Sequence, residues 1–257
     1  MAHIQANILP KSLGYRTNIE IIIPQDKEKT APAEKILYLL HGLGQDCSAW
    51  GRYSRIEEYA EVHNYAIIMP SVQRSFYMDM SYGSDYFTYV SEELPQIVEQ
   101  LFNLKHIREK TFVAGLSMGG YGALKCALSR PDFYAAGASF SGAVDPPAQA
   151  SMTELFGMTK QSIGIYGTDL VFPDHVNLSR LAEKAAELPI HAQPRLMATC
   201  GDKDFLLLDN RKFSKHMRKL GLPFTYTEWE GDHNWTFWEA SLPLAFKFFE
   251  NTEANEN

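Results

Sequence analysis

A glycine-flanked serine is the feature of this sequence that points most directly to chemistry. Gly115-Leu116-Ser117-Met118-Gly119 follows a short apolar run that predicts a buried strand, and it precedes apolar residues at helical spacing. A serine on a sharp strand-to-helix turn has an exposed hydroxyl and a strained backbone, and its flanking glycines avoid a collision with the neighbouring chain. This context predicts that Ser117 is a nucleophile. The competing interpretation is a helix start packed on a sheet, with Ser117 as its N-cap.

An acidic residue and a histidine follow Ser117 in the chain, each just after a predicted strand. Asp202 and Asp204 lie in one such turn, and His233 lies in the next. A serine hydroxyl needs a base to take its proton, and the base needs a group that fixes its tautomer and stabilises the imidazolium. The order serine, acid, histidine is the one found in α/β-hydrolases. His233 is the only one of the eight histidines that follows Ser117 and a candidate acid and also sits at a strand end.

The identity of the acid is the more open assignment. Asp204 directly precedes the residues at which a helix is predicted to begin, and on this position we favour it over Asp202. Either aspartate alone is also compatible with a purely structural role, as a helix cap or a turn residue.

Attack by Ser117 on a carbonyl carbon would place negative charge on the carbonyl oxygen, and backbone N–H donors nearby would be needed to stabilise it. The first predicted donor is Met118, which follows the nucleophile at the start of a helix. The second is Leu43, in the turn after an earlier strand, where Gly42 and Gly44 allow close approach of the backbone. His41 precedes the nucleophile in the chain, and we predict that it has a structural role.

Several aromatic residues lie near the predicted loops and helix starts. Core or rim packing is the usual role of such residues. Trp50 follows the predicted oxyanion turn, Trp235 follows His233 closely, and Tyr77 lies in a loop after another strand. These three are the candidate walls of a substrate pocket.

Apolar runs that predict strands alternate with helical patterns along nearly the whole chain. This alternation is typical of the α/β class, with a mostly parallel sheet covered by helices on both faces. The predicted strands span residues 18–24, 35–40, 65–70, 110–114, 133–141, 194–200 and 224–229. The predicted helices span residues 50–63, 85–102, 121–128, 178–188, 205–220 and 234–249.

Residues 145–193 interrupt this alternation with several prolines and a polar stretch. We therefore expect a single domain over residues 1–257 with a variable insertion around 145–193, too short for a large lid domain.

Composition excludes several classes of protein. The net charge of -7 and the lack of a strong basic cluster argue against a nucleic-acid partner. We expect no membrane association, because no apolar run approaches the ~18 residues of a membrane helix. Three scattered cysteines and a start without a signal-peptide pattern favour a cytoplasmic protein. No metal site or cofactor is indicated.

The motifs together carry a resemblance to a known family. They are Leu39–Gly42, Trp50, Tyr77–Asp79, Tyr86–Pro95, Phe112–Gly122, Phe140–Gly142, Cys200-Gly201, Asp204–Leu206 and Gly231–His233. Taken together they resemble the esterase D-like family of α/β-hydrolases, most nearly the bacterial tributyrin esterases. The family also includes S-formylglutathione hydrolases and feruloyl and acetylxylan esterases. The resemblance implies an α/β-hydrolase fold, Asp204 as the acid, and Leu43 and Met118 as oxyanion donors.

The sequence thus predicts a serine carboxylesterase that hydrolyses acetyl to butyryl esters through an acyl-enzyme, without a cofactor. The alternatives are a feruloyl or acetylxylan esterase, an S-formylglutathione hydrolase acting on a thioester, or a catalytically silent binding protein of the same fold. All three positions of the triad are filled, which argues against the silent protein. The expected partner is a small ester substrate, and assembly as a homo-oligomer stays open.

Overall fold

The computed structural model describes residues 1–25, 33, 35–147 and 159–251. Its strands form one eight-stranded sheet in the order β1-β2-β4-β3-β5-β6-β7-β8. The strands are β1 Ala2–Ile8, β2 Thr17–Ile23, β3 Lys35–Leu40, β4 Tyr65–Pro70, β5 Thr111–Leu116, β6 Ala136–Phe140, β7 Arg195–Gly201 and β8 Phe224–Trp229. Every predicted strand is present.

β2 is antiparallel to both of its neighbours, β1 and β4, whereas β3 to β8 run parallel to one another. β1 was not predicted, although its residues alternate between inward and outward faces, as an edge strand's do. β3, β4, β5 and β6 are buried along nearly their whole length, because helices cover both faces of the sheet. The carboxyl ends of the six parallel strands therefore meet at one edge, where the predicted site residues follow them.

Nine α-helices lie wholly within the described residues. They are α1 Ala49–Tyr53, α2 Ile56–His63, α3 Tyr86–Thr88, α4 Leu94–Phe102, α5 Met118–Ser129, α6 Thr159–Tyr166, α7 Leu178–Ala186, α8 Leu207–Leu220 and α9 Trp235–Glu250. A π-helical turn, Tyr89–Glu93, joins α3 to α4. Two apolar cores fill the space between these helices and the sheet.

Two predicted helices differ in detail from the structure. The single helix predicted over 50–63 is divided into α1 and α2 at Ser54, whose backbone is extended and whose hydroxyl donates to the Trp50 carbonyl at 2.6 Å. A serine that bonds its own helix in this way competes with the next helical turn. The helix predicted over 85–102 is continuous but contains the π-helical turn.

The insertion contains more helix than the sequence indicated. α7 was predicted, and its N-cap Asn177 accepts hydrogen bonds from the amides of Ser179 and Arg180. α6 was not predicted, because its sequence has little apolar periodicity. α7 packs on α5 and α8, which places this segment beside the elements that follow β5 and β7. Residues 148–158 of the predicted insertion lie outside the described residues.

Candidate active site

Ser117 alone connects β5 to α5. Its backbone has φ 53° and ψ -117°, a conformation that side-chain-bearing residues rarely adopt, and its side chain makes no capping hydrogen bond. A helix N-cap has extended backbone, so this conformation does not fit the competing interpretation of Ser117 as a cap. A Cβ on Gly115 would collide with the Gly119 carbonyl, and a Cβ on Gly119 would collide with the Leu40 carbonyl. The glycines are therefore required for the turn that presents Ser117.

The histidine predicted as the base lies between Ser117 and Asp204. The Nε2 atom of His233 is 3.0 Å from Ser117 Oγ, and its Nδ1 atom is 2.9 Å from Asp204 Oδ2. An ionised carboxylate only accepts hydrogen bonds, so the ring proton lies on Nδ1 and Nε2 is left to accept from the serine hydroxyl. This arrangement can take a proton from Ser117 and stabilise the resulting imidazolium.

Asp204 is held in an ionised state despite its burial. Its side chain has no exposed surface, and burial alone would raise its pKa. The hydrogen bond and charge of His233, together with the Leu206 amide at 2.8 Å, outweigh burial and hold the pKa of Asp204 below its usual value. Asp202 instead accepts from the Gly231 amide at 3.1 Å. Asp204 and not Asp202 therefore contacts the histidine.

Two aromatic rings flank the imidazole of His233. Phe205 packs on one side, with 4.5 Å between ring centroids, and Trp238 meets the ring edge-on at 5.0 Å. Phe205 is 58% exposed, so its ring stands at the mouth of the site. The loop before α9 is fixed by Asn234, whose side chain caps the helix by accepting from the Phe237 amide. These contacts limit the rotation of His233.

The two predicted oxyanion donors lie at the same edge of the sheet. Met118 is the first residue of α5, and an amide at this position has no acceptor within its own helix. The Leu43 amide donates no hydrogen bond to any residue that the structure describes. Both N–H groups are therefore free to bind a ligand oxygen.

The turn that carries Leu43 is fixed by His41. The imidazole accepts from the Val72 amide through Nε2 at 3.0 Å, so its proton lies on Nδ1 and donates to the Gly42 carbonyl at 2.8 Å. The Gly42 carbonyl and the Leu43 N–H belong to one planar peptide and point in opposite directions. Burial lowers the pKa of His41 to about 4, against the smaller opposing effect of the Gly42 carbonyl. His41 is thus a buried, neutral histidine with a structural role, as predicted.

The predicted pocket residues differ in exposure. Trp50 and Tyr77 are fully buried, with 0% of their surface exposed, and as placed they offer no surface to a substrate. This departs from the expectation for both residues. Trp235 is partly exposed and stacks on Tyr53, with ring centroids 5.0 Å apart. We retain only Trp235 as a candidate wall among the three.

Two exposed aromatic residues near the site were not predicted as pocket residues. Phe205 could have been found, because it directly follows the predicted acid. Tyr53 is brought to Trp235 only by the packing of α1 near α9, and no sequence signal indicated this contact.

The part of the chain that the structure describes contains neither a metal-binding cluster nor a membrane-spanning helix. Within residues 1–25, 33, 35–147 and 159–251, no three His, Cys, Asp or Glu side chains are grouped to hold a metal ion. In the same residues, no helix is both long and apolar enough to cross a bilayer.

Comparison with known families decides the class of this protein. Residues 11–249 match the family described as "Putative esterase". The chain belongs to this esterase family. The esterase is a carboxylic ester hydrolase with the α/β-hydrolase fold, which confirms the predicted family, fold and enzyme class.

Relatives of the esterase share nearly its whole length. It is 31% identical to an acetyl esterase of Caldicellulosiruptor saccharolyticus, over 96% of this chain and 98% of the relative. It is 34% identical, with a TM-score of 0.86, to a fluorophosphonate-binding serine hydrolase of Staphylococcus aureus with bound substrate, over 96% of this chain and 98% of that one. An S-formylglutathione hydrolase of Staphylococcus aureus is 30% identical, with a TM-score of 0.81 and the same coverage.

Proposed function

We propose that the esterase hydrolyses short-chain acyl esters, acetyl to butyryl, with Ser117 as nucleophile, His233 as base and Asp204 as the acid of a catalytic triad. The observation that carries this proposal is the continuous pair of hydrogen bonds from Ser117 Oγ through His233 to Asp204, at 3.0 and 2.9 Å. A nucleophile, a base within reach of its proton and a group that orients the base form the set that acyl transfer requires.

Each step of the proposed reaction uses one of the three triad residues or one of the two backbone donors. Ser117 Oγ attacks the ester carbonyl while His233 takes its proton, and the Leu43 and Met118 amides bind the oxygen that becomes negative. The imidazolium, stabilised by Asp204, then gives its proton to the leaving alcohol as the carbon–oxygen bond breaks. In the second half of the reaction, His233 takes a proton from a water molecule, which attacks the acyl-enzyme. The bond to Ser117 Oγ then breaks, His233 returns the proton to Ser117, and the carboxylic acid is released.

The preference for short acyl chains rests on the side chains that surround His233. Phe205 and Trp238 pack on the imidazole, Trp235 packs on Trp238, and Tyr53 stacks on Trp235. Each further methylene of an acyl chain adds ~0.8 kcal/mol to the binding free energy only where the pocket can bury it. The acetyl esterase relative is consistent with this proposal.

A thioesterase that acts on S-formylglutathione is the second candidate, because one of the similar solved structures is an S-formylglutathione hydrolase. A panel of substrates separates the candidates: acetyl, butyryl and decanoyl esters, methyl ferulate and S-formylglutathione, compared by kcat/KM. We expect the acetyl or butyryl ester to be preferred. A clear preference for the decanoyl ester would contradict the small pocket, and a large advantage of the ferulate or the thioester would assign the esterase to that branch instead.

A further inference from the structure

A buried lysine on the helix after the nucleophile has no role in the chemistry proposed above. Lys125 lies on α5 and is 1% exposed. Within the described residues it forms no ion pair; its ammonium donates to the Tyr77 carbonyl at 3.1 Å and the Met78 sulfur at 3.0 Å, and it lies 4.0 Å from the centre of the Phe87 ring. Burying an ammonium without a carboxylate is costly, and burial lowers the pKa of Lys125 to about 8. An apolar side chain would avoid this cost, so the contact with Tyr77 calls for an explanation.

The backbone that Lys125 holds is strained. Phe76 and Tyr77 both have positive φ, 52° and 51°, which is rare for bulky residues. Such a conformation persists only where surrounding contacts impose it, and it often occurs at functional sites. Here the Tyr77 amide donates to the Ser75 hydroxyl at 3.2 Å, and its ring lies so close to α5 that a Cβ on Gly122 would meet it at 2.6 Å.

The strained turn places the Tyr77 hydroxyl against the turn that follows β3 and carries Leu43, called here the oxyanion turn (His41–Gly44). Tyr77 Oη donates to the His41 carbonyl at 2.9 Å, and both residues are fully or almost fully buried. Burial raises the pKa of the Tyr77 hydroxyl well above its usual value, so the group stays a donor. The other side of the same peptide, the Gly42 N–H, donates to the Gln45 side chain at 2.9 Å. The His41–Gly42 peptide is therefore held on both sides.

Two successive peptides of the oxyanion turn are thus fixed by side chains. Tyr77 and Gln45 hold the first, and the His41 ring holds the carbonyl of the second, whose opposite end is the free Leu43 N–H. Because a peptide is planar, a hydrogen bond that fixes its carbonyl also fixes the direction of its N–H group. A rotation of the first peptide changes the φ angle of Gly42 and would therefore tilt the second peptide, which carries the Leu43 amide.

We propose that Tyr77 and Lys125 are positioning residues of the esterase. Lys125 holds the Tyr77 turn against α5, and the Tyr77 hydroxyl holds the oxyanion turn so that the Leu43 N–H faces the oxygen that becomes negative. Helix α5, which begins at Met118, and the turn that carries Leu43 are in this way joined by one chain of contacts. This inference rests on the proposed function, because it requires Leu43 to be an oxyanion donor.

The first test is Tyr77→Phe, which removes only the hydroxyl. Its matched control is Tyr89→Phe, because Tyr89 is also fully buried but its hydroxyl has no hydrogen-bond partner among the described residues. Loss of a direct oxyanion donor costs about 100- to 1,000-fold in kcat, and a misplaced donor loses part of that. We expect kcat for a butyryl ester to fall about tenfold in Tyr77→Phe with KM unchanged, and to stay at the wild-type value in Tyr89→Phe.

Inhibition by an alkyl trifluoromethyl ketone distinguishes positioning from a purely structural effect. The ketone forms a tetrahedral adduct with Ser117 whose oxyanion lies between the two donors, so its Ki should rise by the same factor as kcat falls. A structural defect alone would lower the number of titratable sites but leave Ki and the rate per site unchanged. Wild-type kcat in Tyr77→Phe, or an unchanged Ki with lowered kcat, would overturn the proposal.

Lys125→Met tests the other end of the chain of contacts. Methionine fills a similar volume and can pack on Phe87, but it cannot donate to the Tyr77 carbonyl. We expect the same loss of kcat and the same rise of Ki as in Tyr77→Phe, and little further loss in the double variant, because both residues act through one contact chain. Wild-type kcat in Lys125→Met, or fully additive losses, would contradict its role. If Ser117→Ala kept its activity, the proposed function itself would fail, whereas an inactive Ser117→Ala with unaffected Tyr77→Phe would overturn only this inference.

Discussion

Asp204 and Asp202 are separated by one residue, yet only Asp204 contacts His233. Its carboxylate lies 2.9 Å from His233 Nδ1, whereas Asp202 accepts from the Gly231 amide at 3.1 Å and helps to shape the loop that carries the histidine. The difference follows from burial: Asp204 has no exposed side-chain surface, and Asp202 is exposed. Two chemically identical side chains in one turn therefore have different roles.

Asp204→Asn should lower kcat severely, by roughly 10,000-fold, as in the analogous protease substitution. An amide cannot stabilise the imidazolium and can hold His233 in the wrong tautomer. Asp202→Asn, the matched control in the same turn, should lower kcat only slightly, since the asparagine oxygen can still accept from the Gly231 amide. Steady-state rates on one ester decide between the two, and a larger loss in Asp202→Asn would reverse the assignment.

Ser117→Ala should abolish ester hydrolysis, with a loss of up to about a million-fold in kcat. Alanine at this position bears the same backbone strain as serine, so the near-ultraviolet circular dichroism should stay that of the wild type. Labelling by a fluorophosphonate probe should disappear together with the activity. Retention of about one per cent of the activity or more in protein free of other esterases would show that another residue is the nucleophile.

His41 should make stability depend on pH in a window below neutrality. Burial lowers its pKa to about 4 in the folded protein, whereas an unfolded histidine titrates near 6.5. Between these values only the unfolded chain binds the proton, so the free energy of unfolding should fall as the pH falls from 6.5 to 4, by about 3 kcal/mol. Urea unfolding of wild type and His41→Asn over this range measures the effect, and identical pH slopes for the two proteins would contradict it.

Lys125 should produce a second pH dependence, above neutrality. Burial lowers its pKa to about 8, whereas an unfolded lysine titrates near 10.5. Only the unfolded chain is protonated between these values, so the stability of the wild type relative to Lys125→Met should rise by about 3 kcal/mol from pH 8 to pH 10.5. Denaturant unfolding of both proteins at the two pH values gives this difference directly. A constant difference across the window would show that the ammonium is not buried as described.

The strand-to-helix context of Ser117 and the order of serine, acid and histidine were readable from the sequence. Strands and turns are local patterns, and the carboxyl ends of parallel strands must meet at one edge of a sheet, so three residues far apart in the chain could be predicted to lie together. The choice between Asp202 and Asp204 needed more than position in a turn, because both follow the same strand. The edge strand β1 was missed since its short, half-buried pattern is weak by itself.

The sequence by itself determined the α/β fold, the strand-to-helix turn at Ser117 and the place of His233 after a strand, because glycines beside a serine and alternating apolar runs restrict the backbone locally. Tertiary structure decided which aromatic residues border the site. Trp50 and Tyr77 are as aromatic as Phe205 and Tyr53, but the first pair is fully buried and the second pair is exposed. It also decided the place of Lys125, which is buried and donates to the Tyr77 carbonyl. Burial and long-range hydrogen bonds depend on which helices pack together, and residue types along the chain do not specify that packing.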